Sequence, residues 1–202
     1  MSAFLGPIHT WLYNKIKLQD ELVNALIDAA VNENVAGDEI KAMLTRRYGE
    51  LEKGDLEEIC DLNNIHGWLQ DRVSLVENRL AFAVTYLTME NSKNIEFLEK
   101  AAYSFGEKRA VELSDAKSVY KFLEDNLLSG MPCDRVNEVI YESENLVSWQ
   151  QVVDIHGIYW VNILGNITYY NKIKKSLING LISQTELTFA EVDENQYEIR
   201  KK

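Results

Sequence analysis

Strong signatures are missing from this chain. It has only 2 cysteines in 202 residues, Cys60 and Cys133, and they form no CxxC pair. A disulfide framework is therefore not expected, and a reducing cytoplasm is the expected setting. Two prolines and 10 glycines argue for long regular elements over a loop-rich scaffold. Bases are scarce beside acids, 21 against 32, for a net charge of −11. A phosphate backbone would meet a repulsive field, and the best basic run, Lys172-Ile-Lys174-Lys175, is short, so no nucleic-acid partner is expected.

Long apolar runs are missing too. Leu80 to Leu87 is the longest and contains Thr85, well short of the roughly 20 residues a membrane helix needs, so no membrane partner is expected. The first residues, MSAFLGPIHTW, lack the basic start and apolar stretch of a leader. The chain holds no P-loop, G-x-G-x-x-G, G-x-S-x-G, H-E-x-x-H or EF-hand loop. What remains is a composition 46% hydrophobic, ample for a core.

The positive signal is an internal repeat. Residues 5–50 recur without a gap at 62–107, offset by 57. The offset carries His9 onto His66, Trp11 onto Trp68, Leu12 onto Leu69, Lys15 onto Arg72, Asp20 onto Glu77 and Gly49-Glu50 onto Gly106-Glu107. Self-similarity of this kind bears on architecture before anything else.

Within the first copy, Ile8, Leu12, Ile16, Val23, Leu26 and Ala30 recur at helical spacing behind Pro7, which predicts a helix from Pro7 to about Asn32. Asp38 is read as the cap of a return helix, Glu39 to Tyr48, closed by Gly49. The second copy predicts a helix from about Asn64 to Thr88 and a return helix to Phe105, with Gly106 as its cap. A short helix, Asp55 to Leu62, should bridge the copies. Two αα-hairpins bury their stripes against each other, so the expectation is mainly α: a four-helix-bundle-like core with pseudo-twofold symmetry.

Past residue 112 the pattern changes. A helix is predicted from Asp115 to Leu128, strands over 136–142 and 146–153, and helices capped by Asp154 and Asn166. A hairpin over 187–192 and 196–200 completes a smaller α+β segment with antiparallel strands. The division read from the sequence is 1–112 for the duplicated region and 113–202 for the α+β segment, which are free to pack as one domain.

The functional candidates follow from the repeat. A pseudo-twofold axis between the long helices sets His9 against His66, and two imidazoles are competent ligands for a transition metal or a haem iron. His9 and Asp20 share a helical face but lie roughly 16 Å apart along it, so any metal site must cross the axis. Asp20, Glu77, Glu50 and Glu107 are expected to gather at mid-bundle, although the Glu-x-x-His of carboxylate-bridged sites is missing.

Lys15 and Arg72 fall inside the apolar arc, which calls for ion pairs with Glu50 and Glu107, for heads reaching water, or for an anion cavity shared with the histidines. His156 and Cys133 are the remaining ligand-binding candidates. The expected function is non-catalytic binding of a small ligand or metal, between the repeats or between bundle and sheet. Two alternatives stay open. One is a metal-dependent or thiol enzyme using these His and carboxylate groups or Cys133; the other is a protein-interaction module anchored on Trp11 and Trp68. Self-association into a homo-oligomer stays open as well.

Overall fold

The computed structural model describes residues 5–202. Residues 1–4, part of the segment read above as unlike a leader, lie outside the described residues.

Both repeats form helical hairpins. Helix α1 spans Pro7–Asn32 and α2 spans Glu39–Tyr48. The one-turn α3, Leu56–Ile59, bridges to α4, Ile65–Met89, and α5, Asn94–Glu107. Pro7 starts α1 where its missing N–H costs nothing, and the Asn64 side chain caps α4 by accepting the Gly67 N–H. Asp38 makes no side-chain cap bond; α2 simply begins after it.

Contacts between the long helices keep the same order along both. His9 meets His66 near the starts, and Asp20 meets Arg79 further on, so α1 and α4 run parallel. Their return helices cross over, α2 packing on α4 and α5 on α1. Each hairpin thus covers the other copy's long helix, the expected result when neither hairpin alone can bury its stripe.

The repeat-equivalent glycines part company. Gly49 ends α2 at a φ of 84°, in the region that favours glycine. Gly106, expected to be the matching cap, lies inside α5. There its missing side chain serves packing: a Cβ would collide with the Leu177 carbonyl, and a Cβ on Gly180 would collide with the Tyr103 carbonyl. This reciprocal glycine contact lets α5 and α8 (Ile167–Leu181) touch backbone to backbone.

The C-terminal part is α+β, as its pattern predicts. Helix α6, Ala116–Asn126, is capped by Asp115. A 3-10 turn at Pro132–Asp134 precedes β1, Asn137–Glu142, and β2, Leu146–Gln151. Helix α7, Gly157–Val161, leads to α8, then to β3, Leu187–Asp193, and β4, Gln196–Lys201. The sheet is antiparallel in the order β1-β2-β4-β3. Trp149 of β2 stacks among Tyr120, Phe189 and Tyr197. The larger apolar core runs from Leu26 and Val84 through α5 and α8 to Trp149 and Ile199, joining bundle and sheet. A smaller one, around Leu12, Ile16, Leu69 and Val73, fills the end where α1 and α4 begin. Among the described residues no helix is long and apolar enough to cross a membrane.

Candidate functional site

His9 and His66 meet at the bundle end. Their Nε2 atoms are 3.3 Å apart and the rings stand edge to face. The Gly6 N–H donates to His9 Nδ1 at 2.9 Å, which leaves the His9 proton on Nε2, where it donates to His66. Burial, and then the His66 charge, hold the His9 imidazole below its ordinary value. A separation of 3.3 Å also matches the bite of two imidazoles on a tetrahedral ion at roughly 2.05 Å. Such an ion, however, needs the Nε2 lone pair that the Gly6 bond has committed to a proton. A macrocycle does not fit between nitrogens already in contact.

The four acids do not converge. Asp20 accepts from Arg79 at 3.0 Å, Glu50 turns back to Thr45 at 2.8 Å, Glu77 faces His156, and Glu107 is exposed. Among the described residues no three His, Cys, Asp or Glu side chains group to hold a metal.

The cations follow a different rule from the expected pairing with Glu50 and Glu107. Arg72 forks onto Glu52, which the loop after α2 delivers to α4. In both copies the cation also lies over the Trp one turn earlier: Lys15 is 3.5 Å from the Trp11 ring centre, and Arg72 is 4.1 Å from that of Trp68. Trp68 is buried, and the half-buried Trp11 donates its indole N–H to Asp125, so neither stands out as an exposed anchor. Cys133 is exposed beside Asp134, and both ring nitrogens of His156 are occupied elsewhere.

His156 is where polar chemistry concentrates. Asp154, expected as a helix cap, lies ahead of the N-cap His156 of α7; it accepts the His156 and Gly157 N–H groups, which fixes the turn carrying the imidazole. The ring stacks on Tyr170, four residues past the Asn166 cap of α8. His156 Nδ1 lies 3.0 Å from Glu77 Oε1 and Nε2 lies 2.8 Å from the Tyr170 hydroxyl. Glu77 and His156 are 1% and 3% exposed, so this carboxylate–imidazole–phenol chain is a core feature. Burial, then the charges of Glu77, Tyr197 and Asp154, push the Tyr170 phenol well above its ordinary value. Tyr170 therefore keeps its proton and donates to Nε2, and Nδ1–H donates to Glu77.

Each end of the chain reaches a cleft. Tyr170 and His156 form the floor of one of about 230 Å³, whose rim carries Gln151, Asp154, Asn171 and Asn195. Lys174 stands beside it, half-buried, with its amine 3.5 Å from Gln151 Oε1 and 5.1 Å from the Tyr197 ring centre. Burial lowers its affinity for a proton, against the pull of Glu124, Glu191 and Glu77. Glu77 lines a second cleft, of about 340 Å³, with Gln70, Gly130, Asp134 and Tyr159. Its Oε2 is buried and has no hydrogen-bond partner among the described residues.

Sequence reasoning singled out Glu77 and His156 separately but not Tyr170, Lys174 or Arg79. The local signals available were the Asn166 cap, which starts α8 one turn before Tyr170, and the charged Lys174 on the same helix. No family model matches this chain, and comparison with curated proteins and with solved structures returns no match.

Proposed function

We propose that this protein binds a small polar molecule in the cleft above Tyr170 and His156, between bundle and sheet. The observation that carries the reading is the buried Glu77–His156–Tyr170 chain ending at a rim of amide side chains. Packing alone gives no reason for it. A carboxylate in the core with an unpartnered oxygen costs about 1–3 kcal/mol relative to a satisfied one, and an apolar trio of similar volume avoids that cost. Few, well-placed polar groups in a concave site are what orient a small ligand. Gln151, Asn171 and Asn195 offer both donors and acceptors, while the Lys174 amine favours a ligand carrying negative charge.

A polar fragment library followed by amide NMR of the full chain tests this. Hits that move the side-chain amide signals of Gln151, Asn171 and Asn195, and that weaken in Tyr170→Phe, support the reading. Hits that cluster elsewhere, or a library with none, overturn it.

The same chain favours a second reading, acid–base catalysis. Carboxylate, imidazole and hydroxyl stand in the order that orients a proton donor. In that order His156 Nε2 would accept the Tyr170 proton as the phenol oxygen takes one from the bound molecule, so the imidazole holds the proton during turnover. Under this reading Tyr170→Phe abolishes turnover of a bound compound while its binding persists.

A further inference from the structure

A second amine lies away from that cleft. Lys15 is 3% exposed, yet among the described residues no carboxylate comes within 4.0 Å of its nitrogen and it donates no hydrogen bond. Its long stem crosses the apolar arc of α1 and its head meets the Trp11 ring. Lys15 also lines a small cavity of about 150 Å³, whose wall includes Glu124, Ser129, Asn137 and, at its exposed edge, Arg135. Asn137 donates to Glu124 Oε1 at 2.9 Å, which fixes that carboxylate in the wall. Arg135 has no carboxylate partner among the described residues.

The three charged groups divide the work in a recognisable way. A buried amine without a salt bridge is the setting in which lysine loses its proton readily. Burial brings the Lys15 pKa down to about 8, against the opposing pull of Glu124 and Asp125. A cavity meant only for an inorganic anion would gain nothing from Glu124 in its wall. A carboxylate beside an amine suits a reaction that moves protons to and from nitrogen and oxygen.

We propose that Lys15 forms an iminium with a small aldehyde or ketone that bears a carboxylate, with Glu124 relaying protons and Arg135 holding the carboxylate. By way of one water, since the two groups stand more than 4.0 Å apart, Glu124 takes a proton from the Lys15 ammonium, and the freed nitrogen pair attacks the carbonyl carbon. The C–N bond forms as the C=O π pair moves to oxygen, which takes the proton back from Glu124. Glu124 then removes a proton from nitrogen and returns it to the hydroxyl, water leaves, and C=N forms. Ammonium plus carbonyl becomes iminium plus one water, with no redox change.

The test uses the full chain, glyoxylate as the probe carboxylate, acetaldehyde as its uncharged counterpart, and cyanoborohydride to reduce the iminium to a stable amine. Peptide mapping is expected to find Lys15 labelled by glyoxylate at least about tenfold faster than any exposed lysine at neutral pH, since a larger share of its amine is unprotonated. Arg135→Gln should slow glyoxylate several-fold and leave acetaldehyde unchanged; Glu124→Gln should slow both. A merely structural lysine, 3% exposed, predicts the reverse order, with Lys15 among the last labelled. That order in the native protein, or an Arg135→Gln variant that treats both aldehydes alike, overturns the proposal. The labelling order is read from the native chain and the aldehyde comparison from a change at position 135, so neither depends on a Lys15 variant folding.

Discussion

His9 Nε2 and His66 Nε2 lie 3.3 Å apart, each in the first turn of its helix and at the same position of its repeat. Their contact places the starts of two parallel helices side by side, and the positive ends of both dipoles face the imidazoles. For His9, burial and the neighbouring His66 disfavour a second proton, as does the Gly6 N–H already given to Nδ1.

The first prediction follows in sign. The folded His9 binds a proton less readily than its ordinary value of 6.5. Below pH 6.5 the unfolded chain takes up a proton at position 9 that the folded chain resists, so stability is retained above that pH and declines beneath it. Urea midpoints measured between pH 7.5 and 5 should fall, and His9→Gln should flatten that fall. His66→Leu should flatten it only in part, because burial, the larger cause, persists. An unchanged slope in His9→Gln would show that position 9 is not the sensor.

The buried chain makes a second prediction through coupling. Tyr170→Phe removes one hydroxyl and strands His156 Nε2, at a cost of about 1–2 kcal/mol. Glu77→Gln leaves an acceptor for Nδ1–H but puts an amide where Oε2 already lacks a partner. Because one imidazole joins both groups, the double variant should deviate from additivity by at least about 0.5 kcal/mol in denaturant unfolding. Strict additivity would mean that His156 does not transmit between them.

Glycines 49 and 106 provide a third, since they match in sequence and differ in use. Gly49→Ala should cost about 1–3 kcal/mol through the backbone alone, because a φ of 84° with a ψ of −169° is a region that only glycine adopts readily. Gly106→Ala drives a methyl against the α8 backbone and should cost about 1–3 kcal/mol, with Gly180→Ala costing a similar amount. Denaturant unfolding of double variants separates the two causes: Gly49→Ala with Gly180→Ala should be additive, and Gly106→Ala with Gly180→Ala should not, because those two share one contact. Coupling of position 49 to position 180 as strong as that of position 106 would contradict the distinction.

Legibility in the sequence tracks how local each cause is. Helix α1 ends at Asn32 as its pattern predicts, and Asp115 and Asn166 cap, because a cap is decided within four residues; Asp38, read the same way, makes no cap bond. Gly106 was misjudged because the same residue serves a turn or a close approach, and only α8, about seventy residues on, decides which. The His9–His66 contact was readable because symmetry substitutes for long-range information. Nothing comparable joins Glu77 to His156, which are 79 positions apart on unlike elements. Glu50 and Glu107 were expected at mid-bundle on helix length alone, but the crossing of the return helices gives Glu50 to Thr45 and leaves Glu107 in solvent.

Arg79 carries the last prediction. It replaces Leu22 of the first copy, so the repeat itself argues against a cation there, yet its side chain is only 6% exposed. The guanidinium spends its donors on Asp20 at 3.0 Å, the Gly49 carbonyl at 2.8 Å and Asn24 at 3.3 Å. These contacts tie α4 to α1 and to the C-terminal end of α2. Lysine cannot reproduce that fork, so Arg79→Lys should behave as a loss and not as a conservative change. Arg79→Met leaves the half-buried Asp20 without its cation and should cost about 1–3 kcal/mol. Changing both partners, with Arg79→Leu and Asp20→Asn together, removes the stranded charge and should recover much of that loss. Hydrogen exchange locates the effect: amides at the end of α2, near Thr45 and Gly49, should lose protection first in Arg79→Met. If those amides stay protected while α1 and α4 loosen, the guanidinium is holding the two long helices and not the return helix.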